Sequence, residues 1–243
     1  MEFEALTELI VYSQPRALRW ESIPAMPPRD PSAREESIAA ALSVSFSVLS
    51  SFQIARRFMP KAVPRTVRSQ LHELAAQGWA RRAHLICAGR GQTPRLFVAR
   101  DTAIDACGAV RALHANAWFF ALERLVPDVA ALASADADLA IDLAGSRVLI
   151  EIAAWRRSVR EALLRHDRGA EPVVFVLPDE GRALAVARFA DRTLRHARER
   201  CFFAAEPDIH LGRLRALILP RDPGGGLRLS SLVSARAIGC LPL

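Results

Sequence analysis

The segment between Pro64 and Gln77 carries polar residues that could bind a polyanion from one face of a helix. Side chains three or four positions apart share a helical face, and four polar residues follow that spacing: Arg65, Arg68, Ser69 and His72. Such side chains reach phosphates and base edges when a helix lies in the major groove of duplex DNA, where arginine bound to guanine is the commonest specific contact. The spacing therefore predicts a DNA-reading helix in which Arg65 and Arg68 contact bases.

Positive charge is concentrated around this segment. From Phe52 to Arg100 the sequence has ten arginine and lysine residues and one acid, Glu73, so its net charge is +9, whereas the whole chain carries +7 and the remainder −2. A basic excess indicates a polyanionic partner, either nucleic acid or an anionic membrane surface. An arginine-rich proteome is the plain alternative, which the uneven distribution disfavours. The candidate DNA-binding residues are Arg56, Arg57, Lys61, Arg65, Thr66, Arg68, Ser69, His72, Arg81, Arg82, Arg90, Gln92 and Arg95.

The elements around these residues follow the order of a winged helix-turn-helix. Periodicity and turn residues predict a helix from Glu35, helices over 52–58 and 64–77, and strands over 79–86 and 95–99. Three helices followed by a hairpin predict a winged helix over residues 36–102. In such a domain the second helix contacts the DNA backbone, and the hairpin follows phosphates or enters the minor groove. Winged helices also serve as protein–protein modules, an alternative that the one-sided charge disfavours.

The rest of the chain predicts an irregular arm, a second domain and a tail. Five prolines interrupt residues 1–35, so we expect an irregular arm there. The pattern over residues 103–220 predicts a small α/β domain, which begins with a helix over 103–126 that is broken near Gly108. Residues 221–243 are predicted to form a tail. The fold class is therefore α/β (α+β). The other elements expected in the second domain are strands over 138–143, 147–153, 172–177 and 214–219, and helices over 154–166 and 182–203.

Two sets of motifs resemble known proteins. Residues 52–58 and 65–74, followed by Gly78-Trp79, resemble bacterial winged-helix modules in general. His114-Ala115-Asn116, with residues 138–143 and 148–152, resembles the replication-relaxation family, whose plasmid and mobile-element proteins pair a winged helix with a domain similar to the PD-(D/E)XK nuclease core. The resemblance covers about residues 40–220. It implies a role in plasmid replication, relaxation or conjugative transfer, with a relaxase or replication protein as partner.

The resemblance also implies a degenerate restriction-endonuclease-like core. Such a nuclease needs an Asp and a Glu to hold a divalent metal, and a nearby Lys that helps to activate water. Asp138 or Asp142 with Glu151 would supply the carboxylates, but Ala153 stands at the lysine position and Lys61 is the only lysine in the chain. We therefore expect no catalytic residue and no metal, and we expect Asp142 and Glu151 to lie on an exposed strand face or edge, or to be relics of a site.

The sequence predicts neither a cofactor nor a membrane segment. The four cysteines form no CxxC pair and no zinc-ligand spacing, so structural zinc and disulfides are not expected: Cys87, Cys107, Cys201 and Cys240. No secretory signal and no apolar span of membrane length is apparent. We therefore expect a cytoplasmic protein.

Three functions are compatible with these patterns. The leading hypothesis is a non-enzymatic double-stranded DNA-binding protein, accessory to replication, relaxation or conjugative transfer of a plasmid or integrative element, whose second domain mediates protein contacts or homodimerisation. The alternative is a winged-helix transcriptional regulator with a dimerising or sensing second domain. A metal-dependent nuclease is the third.

Overall fold

The computed structural model shows a mixed α/β protein that divides into two compact units, Met1–Asn116 and Ala117–Leu243. Among the helices of the described residues, none is long and apolar enough to cross a membrane. Only the backbone is described for residues 156–158, 210 and 228–231. The described residues are 15–87, 95–126, 128–132, 134, 136–143, 145–153, 156–213, 215–219 and 227–231.

The first unit combines helices with an antiparallel sheet of strand order β1-β3-β4-β2. Its elements are β1 (Pro15–Trp20), α1 (Ala33–Ala41), a π-helical turn (Leu42–Phe46), β2 (Val48–Ser50), α2 (Ser51–Phe58), α3 (Pro64–Ala76), β3 (Ala80–Cys87) and β4 (Arg95–Ala99). The following helix is α4 (Ala106–Glu123). The strand β4 pairs with β2 on one side and β3 on the other, so a hairpin and a distant three-residue strand share one sheet.

Side-chain caps explain where α1 and α2 begin, and a proline explains the start of α3. The Ser32 hydroxyl accepts a hydrogen bond from the N–H of Glu35, whose carboxylate accepts one from the N–H of Ser32. Ser50 and Gln53 form the same reciprocal pair at the start of α2. Pro64 occupies the first position of α3, where its missing N–H removes no helical hydrogen bond. These residues satisfy or avoid the unpaired donors of a helix N-terminus.

The sequence predicted α2, α3, β3 and β4 to within a few residues, but the irregular arm expected over residues 1–35 is wrong for Pro15–Trp20. That segment forms β1 and pairs antiparallel with β3, with Trp20 opposite Ala83. The strand lies at the edge of the sheet and begins with its proline. A proline is tolerated at that position because no interior ladder hydrogen bond is lost, so the proline count alone was misleading.

Glu35 also ties the segment before α1 to this unit. Its side chain is 6% exposed and accepts hydrogen bonds from Arg29 at 2.9 Å (Nη1) and 2.6 Å (Nη2). The same guanidinium lies 3.1 Å from an oxygen of Glu73 on α3. The Arg29 hydrogen bond, with help from Ser32, outweighs the opposing effect of burial and lowers the pKa of Glu35 to about 2.

Replacing Glu35 by glutamine is therefore expected to lower the thermal unfolding midpoint at pH 7 by several degrees. The pKa of Glu35 in the folded protein lies below its ordinary value of 4.5. Its contribution to stability is thus fully present above about pH 4.5 and is lost as the pH falls toward 2. Thermal melts of wild type and variant should converge as the pH falls through this window. Glu36→Gln, at an exposed neighbouring position, is the control, and a pH-independent gap for Glu35→Gln would contradict the prediction.

The second unit is built around one mixed sheet of strand order β11-β10-β9-β8-β7-β6-β5. Strands β7, β8 and β9 run parallel, and the other neighbours are antiparallel. The elements are β5 (Ala130–Leu132), β6 (Leu139–Leu143), β7 (Ser146–Ile152), α5 (Arg156–His166), β8 (Val173–Leu177), α6 (Glu180–Thr193), a 3-10 turn (Arg198–Arg200), β9 (Cys201–Ala205), α7 (Glu206–His210), β10 (Arg215–Ile218) and β11 (Arg228–Ser231).

The helices α5 and α6, which connect the parallel strands, cover one face of this sheet. Leu163 of α5 and Ala187 of α6 are fully buried in one cluster with Phe175 and Phe203 of the central strands. The rings of these two phenylalanines stack with their centres 5.4 Å apart. Strands covered on both faces are apolar throughout, which explains why β8 could be predicted from its sequence.

The helix predicted over residues 182–203 is too long. The helix α6 ends at Thr193, and Cys201–Ala205 form β9, all five residues of which are buried. Five consecutive apolar residues suit a central strand as well as a buried helix, and periodicity does not separate the two. Residues 201–205 form a strand because they pair with β8 on one side and β10 on the other.

Two further predictions need correction. The helix α4 is not broken near Gly108, because it begins only at Ala106 and the Gly108 N–H is held by the Asp105 carboxylate at 2.6 Å. The tail expected over residues 221–243 includes β11, which pairs antiparallel with β10. The remainder of that tail, apart from Leu227, lies outside the described residues.

Candidate nucleic-acid interface

One face of α3 is polar, positively charged and open to solvent. Its five predicted DNA-binding residues are all exposed: Arg65, Thr66, Arg68, Ser69 and His72. The other side of the helix faces the core, where Leu71 is 4% and Leu74 0% exposed. The helix therefore has the two faces that the sequence spacing predicts.

Few contacts within the unit engage the arginines of this face. Arg68 Nε donates a weak hydrogen bond to the carbonyl of Pro64 at 3.4 Å, within its own helix. Glu73, which lies on the same helix, accepts hydrogen bonds from Ser69 at 3.2 Å and from Arg29 at 3.1 Å. Among the described residues, Arg65 and Arg68 therefore have no carboxylate partner.

Three further cations lie just before α3. Arg56 and Arg57 are near the end of α2, Lys61 lies in the following turn, and all three are exposed. The Arg57 guanidinium lies 5.8 Å from the ring centres of Phe46 and Phe58. Cations on the segment that leads into a DNA-reading helix are well placed to contact backbone phosphates.

Glu21, which the sequence analysis did not single out, gathers the cations of β3 and β4. Its Oε2 accepts a hydrogen bond from Arg82 Nε at 2.6 Å, its Oε1 pairs with His84, and Arg95 Nε lies 3.9 Å from the same oxygen. Burial raises the pKa of Glu21, but the hydrogen bond from Arg82 and the charges of all three partners outweigh it, so the pKa lies below its ordinary value. Glu21 therefore neutralises part of the positive charge of this hairpin.

The predicted hairpin cations differ in how accessible they are. The Arg81 guanidinium lies 4.2 Å from the ring centre of Trp20 and donates to the Thr102 carbonyl, so it is half-buried. Arg82 is also half-buried, and its Nη1 lies 3.4 Å from Nδ1 of His72. Arg95 keeps about half of its side chain exposed. The other two predicted hairpin residues, Arg90 and Gln92, lie outside the described residues.

In the second unit, Asp138 rather than Asp142 is the neighbour of Glu151. The antiparallel register pairs Leu139 with Ile150, the residues next to Asp138 and Glu151, and the Asp138 Oδ2 accepts a hydrogen bond from the N–H of Ile152 at 2.9 Å. Asp142 instead accepts one from the N–H of Gly145 at 2.8 Å, in the turn between the strands. Asp142 is thus a turn-stabilising residue.

Glu151 is buried, whereas the sequence predicted an exposed face or edge. Its side chain is 8% exposed, and its Oε1 lies 2.7 Å from His166 Nε2 and 3.0 Å from Arg165 Nη1. His166 is itself buried, with its ring edge-on to Phe175. A carboxylate on the helix-covered face of a sheet needs such partners, because a buried charge without them is costly. The partners come from α5, which the local strand pattern does not reveal.

These residues do not fit a divalent metal. Arg165 and His166 occupy one oxygen of Glu151, a backbone N–H occupies one oxygen of Asp138, and the buried Ala153 offers no amine. In the part of the chain that the structure describes, no group of three or more His, Cys, Asp or Glu side chains could hold a metal ion. The arrangement is a buried network in which Glu151 is held by Arg165 and His166.

Comparisons of the chain with protein-family models, with curated proteins and with solved structures found no match.

Proposed function

We propose that this chain binds double-stranded DNA through a winged helix-turn-helix in its first unit, with α3 in the major groove. The observation that carries the proposal is the exposed face of α3, where Arg65 and Arg68 have no carboxylate partner among the described residues. The order of α1, β2, α2 and α3 followed by the β3–β4 hairpin supports the assignment. Arg65 and Arg68 contact base edges in this proposal.

Backbone contacts come from the cations next to that helix. Arg56, Arg57 and Lys61 are exposed on the segment that leads into α3 and contact phosphates. A protein–protein role for the same unit is disfavoured by the net charge of +9 between Phe52 and Arg100, because a surface of one sign attracts polyanions and repels most basic partners.

We further propose that DNA binding serves replication, relaxation or conjugative transfer of a mobile element. The motif resemblance over about residues 40–220 supports this role, with a relaxase or replication protein as partner and the second unit mediating protein contacts or homodimerisation. Protection of a transfer or replication origin in footprinting would support it, whereas protection of a promoter would indicate a transcriptional regulator.

In this proposal the second unit does not cleave DNA. The support is electrostatic: the Glu151 carboxylate already pairs with Arg165 and contacts His166, and a guanidinium beside the carboxylate repels a divalent cation. Lysine is absent from the position two residues after Glu151, where Ala153 stands. In this proposal the protein therefore binds DNA without cutting it.

Duplex binding is expected to weaken steeply with salt. Each phosphate contact contributes about −0.9 to the slope of log K against log salt concentration, so five cations should give a slope of roughly −4 to −5. Fluorescence anisotropy with a labelled random-sequence duplex measures this slope. Arg147→Ala, which removes a cation paired with Glu171 in the second unit, should leave the slope unchanged. Absence of duplex binding at about 50 mM salt, where such contacts are strong, would refute the proposed function.

A further inference from the structure

A second group of exposed cations lies on the C-terminal half of α6 and in the segments that directly follow α5 and α6. We name this group the α6 cationic edge, and all of its members are exposed: Arg168, Arg188, Arg192 and Arg195. It lies in the second unit, outside the segment that carries the proposed duplex-binding residues.

Local geometry brings these cations together. Arg188 and Arg192 are four residues apart on α6 and are therefore neighbours on its surface. Asp167, directly after α5, accepts hydrogen bonds from the N–H groups of Arg195 at 3.0 Å and His196 at 2.9 Å. The ends of the two helices thus meet, and Arg168, adjacent to Asp167, lies beside the turn that carries Arg195 and His196.

Two acids next to this edge, Asp167 and Asp191, are bonded to groups other than its guanidinium groups. Asp167 accepts three backbone N–H groups, from residues 195–197. Asp191 pairs with the guanidinium of Arg198, which is buried. Among the described residues, no member of the α6 cationic edge forms an ion pair with a carboxylate. Other arginines of the unit are paired, for example Arg182 with Asp179 at 3.5 Å.

An exposed aromatic ring stands within the same edge. Phe189 is 42% exposed and lies next to Arg188 and one turn from Arg192. The described phenylalanines at the sheet and on α4 include four that are at most 3% exposed: Phe119, Phe175, Phe202 and Phe203. A ring left in water beside uncompensated cations suits a ligand that has both phosphates and open aromatic faces. Bases in a duplex are stacked on each other, whereas those of a single strand can stack on a protein ring.

We propose that the α6 cationic edge and Phe189 bind single-stranded nucleic acid. The cations contact successive phosphates, and one base stacks on Phe189. This inference does not depend on the proposed duplex-binding function, because it uses other residues in the other unit. An acidic polypeptide would satisfy the cations but would gain nothing from the phenylalanine ring, so the ring separates the two partners.

The test measures binding of fluorescein-labelled oligothymidylate to the full chain by anisotropy. It is run with the wild-type sequence and with Arg65→Ala/Arg68→Ala, so that contacts from α3 do not mask those from α6. Phe189→Ala is expected to weaken binding about tenfold, the effect of losing one stacked base, and Phe189→Trp should retain it. Affinity for a random-sequence duplex should be unchanged in Phe189→Ala.

Two matched variants control for the loss of apolar surface and of charge. Leu211→Ala removes an apolar side chain that is 65% exposed elsewhere in the unit, and it should not change oligothymidylate affinity. Arg182→Ala removes a paired arginine at the other end of α6 and should weaken binding less than Arg192→Ala. Failure of the wild-type chain to bind oligothymidylate, an equal effect of Phe189→Ala and Leu211→Ala, or displacement by polyglutamate that is insensitive to Phe189 would overturn the proposal. Loss of affinity for a selected target duplex in Arg65→Ala/Arg68→Ala with oligothymidylate binding retained would separate the two functions.

Discussion

Replacing Arg65 and Arg68 together by alanine is expected to abolish the preference of this protein for its target duplex. Both side chains are exposed on α3 and have no carboxylate partner among the described residues. A bidentate contact from arginine to a guanine discriminates by about 1–3 kcal/mol, so losing two should reduce affinity for a selected target about a hundredfold or more. Affinity for random-sequence duplex should fall far less.

The experiment compares a duplex selected from a random library with a random-sequence duplex, both measured by anisotropy. Lys61→Ala is the matched control, because Lys61 is an exposed cation in the turn before α3. A phosphate-contacting lysine should weaken binding to both duplexes alike and reduce the salt slope by about one. Equal losses on both duplexes for the arginine pair would mean that α3 does not read bases. Circular dichroism should show unchanged helix content, since neither arginine packs in the core.

The second large effect is expected at Glu151, where alanine should lower the free energy of unfolding by about 1–3 kcal/mol. That is the cost of leaving a buried polar group without its partner, here His166, which lies 2.7 Å from Glu151. Glu151→Gln keeps an acceptor at the same place and should cost less. Chemical denaturation of the two variants measures the difference. Asp136→Ala, in an exposed turn of the same unit, should have little effect.

The same variants test whether the second unit is a nuclease. A catalytic Glu151 predicts that plasmid is nicked in magnesium or manganese and that Glu151→Gln removes this activity while barely changing stability. A structural Glu151 predicts no nicking by the wild-type chain and a stability loss that is larger in Glu151→Ala than in Glu151→Gln. Metal-dependent nicking that Glu151→Gln eliminates would contradict the role inferred from the ion pairs with Arg165 and His166.

Features that depend on residues close in sequence were predictable. The two faces of α3 follow from side chains three and four positions apart, and the start of α2 follows from the serines at positions 50 and 51, of which Ser50 is the cap. The strands β3 and β4 follow from a short turn between two segments typical of strands. The concentration of positive charge between Phe52 and Arg100 is evident from the residue types alone.

Features that depend on contacts between distant segments were not predictable from the sequence. The edge strand β1 forms because Pro15–Trp20 pairs with β3, which lies more than sixty residues away in the sequence. The segment β9 is a strand because it lies between β8 and β10 in the sheet. Glu21 meets Arg82 only through that pairing.

The sequence by itself determined the polar face of α3 and the sign of its charge, because helical periodicity and composition are local properties. Only the tertiary structure decided which cations between Phe52 and Arg100 remain accessible to a ligand. Arg82 is held by Glu21 and Arg81 lies against Trp20, whereas Arg65 and Arg68 remain exposed. An ion pair or a stacked ring needs two groups within a few ångströms, and for residues far apart in the chain only folding sets that distance.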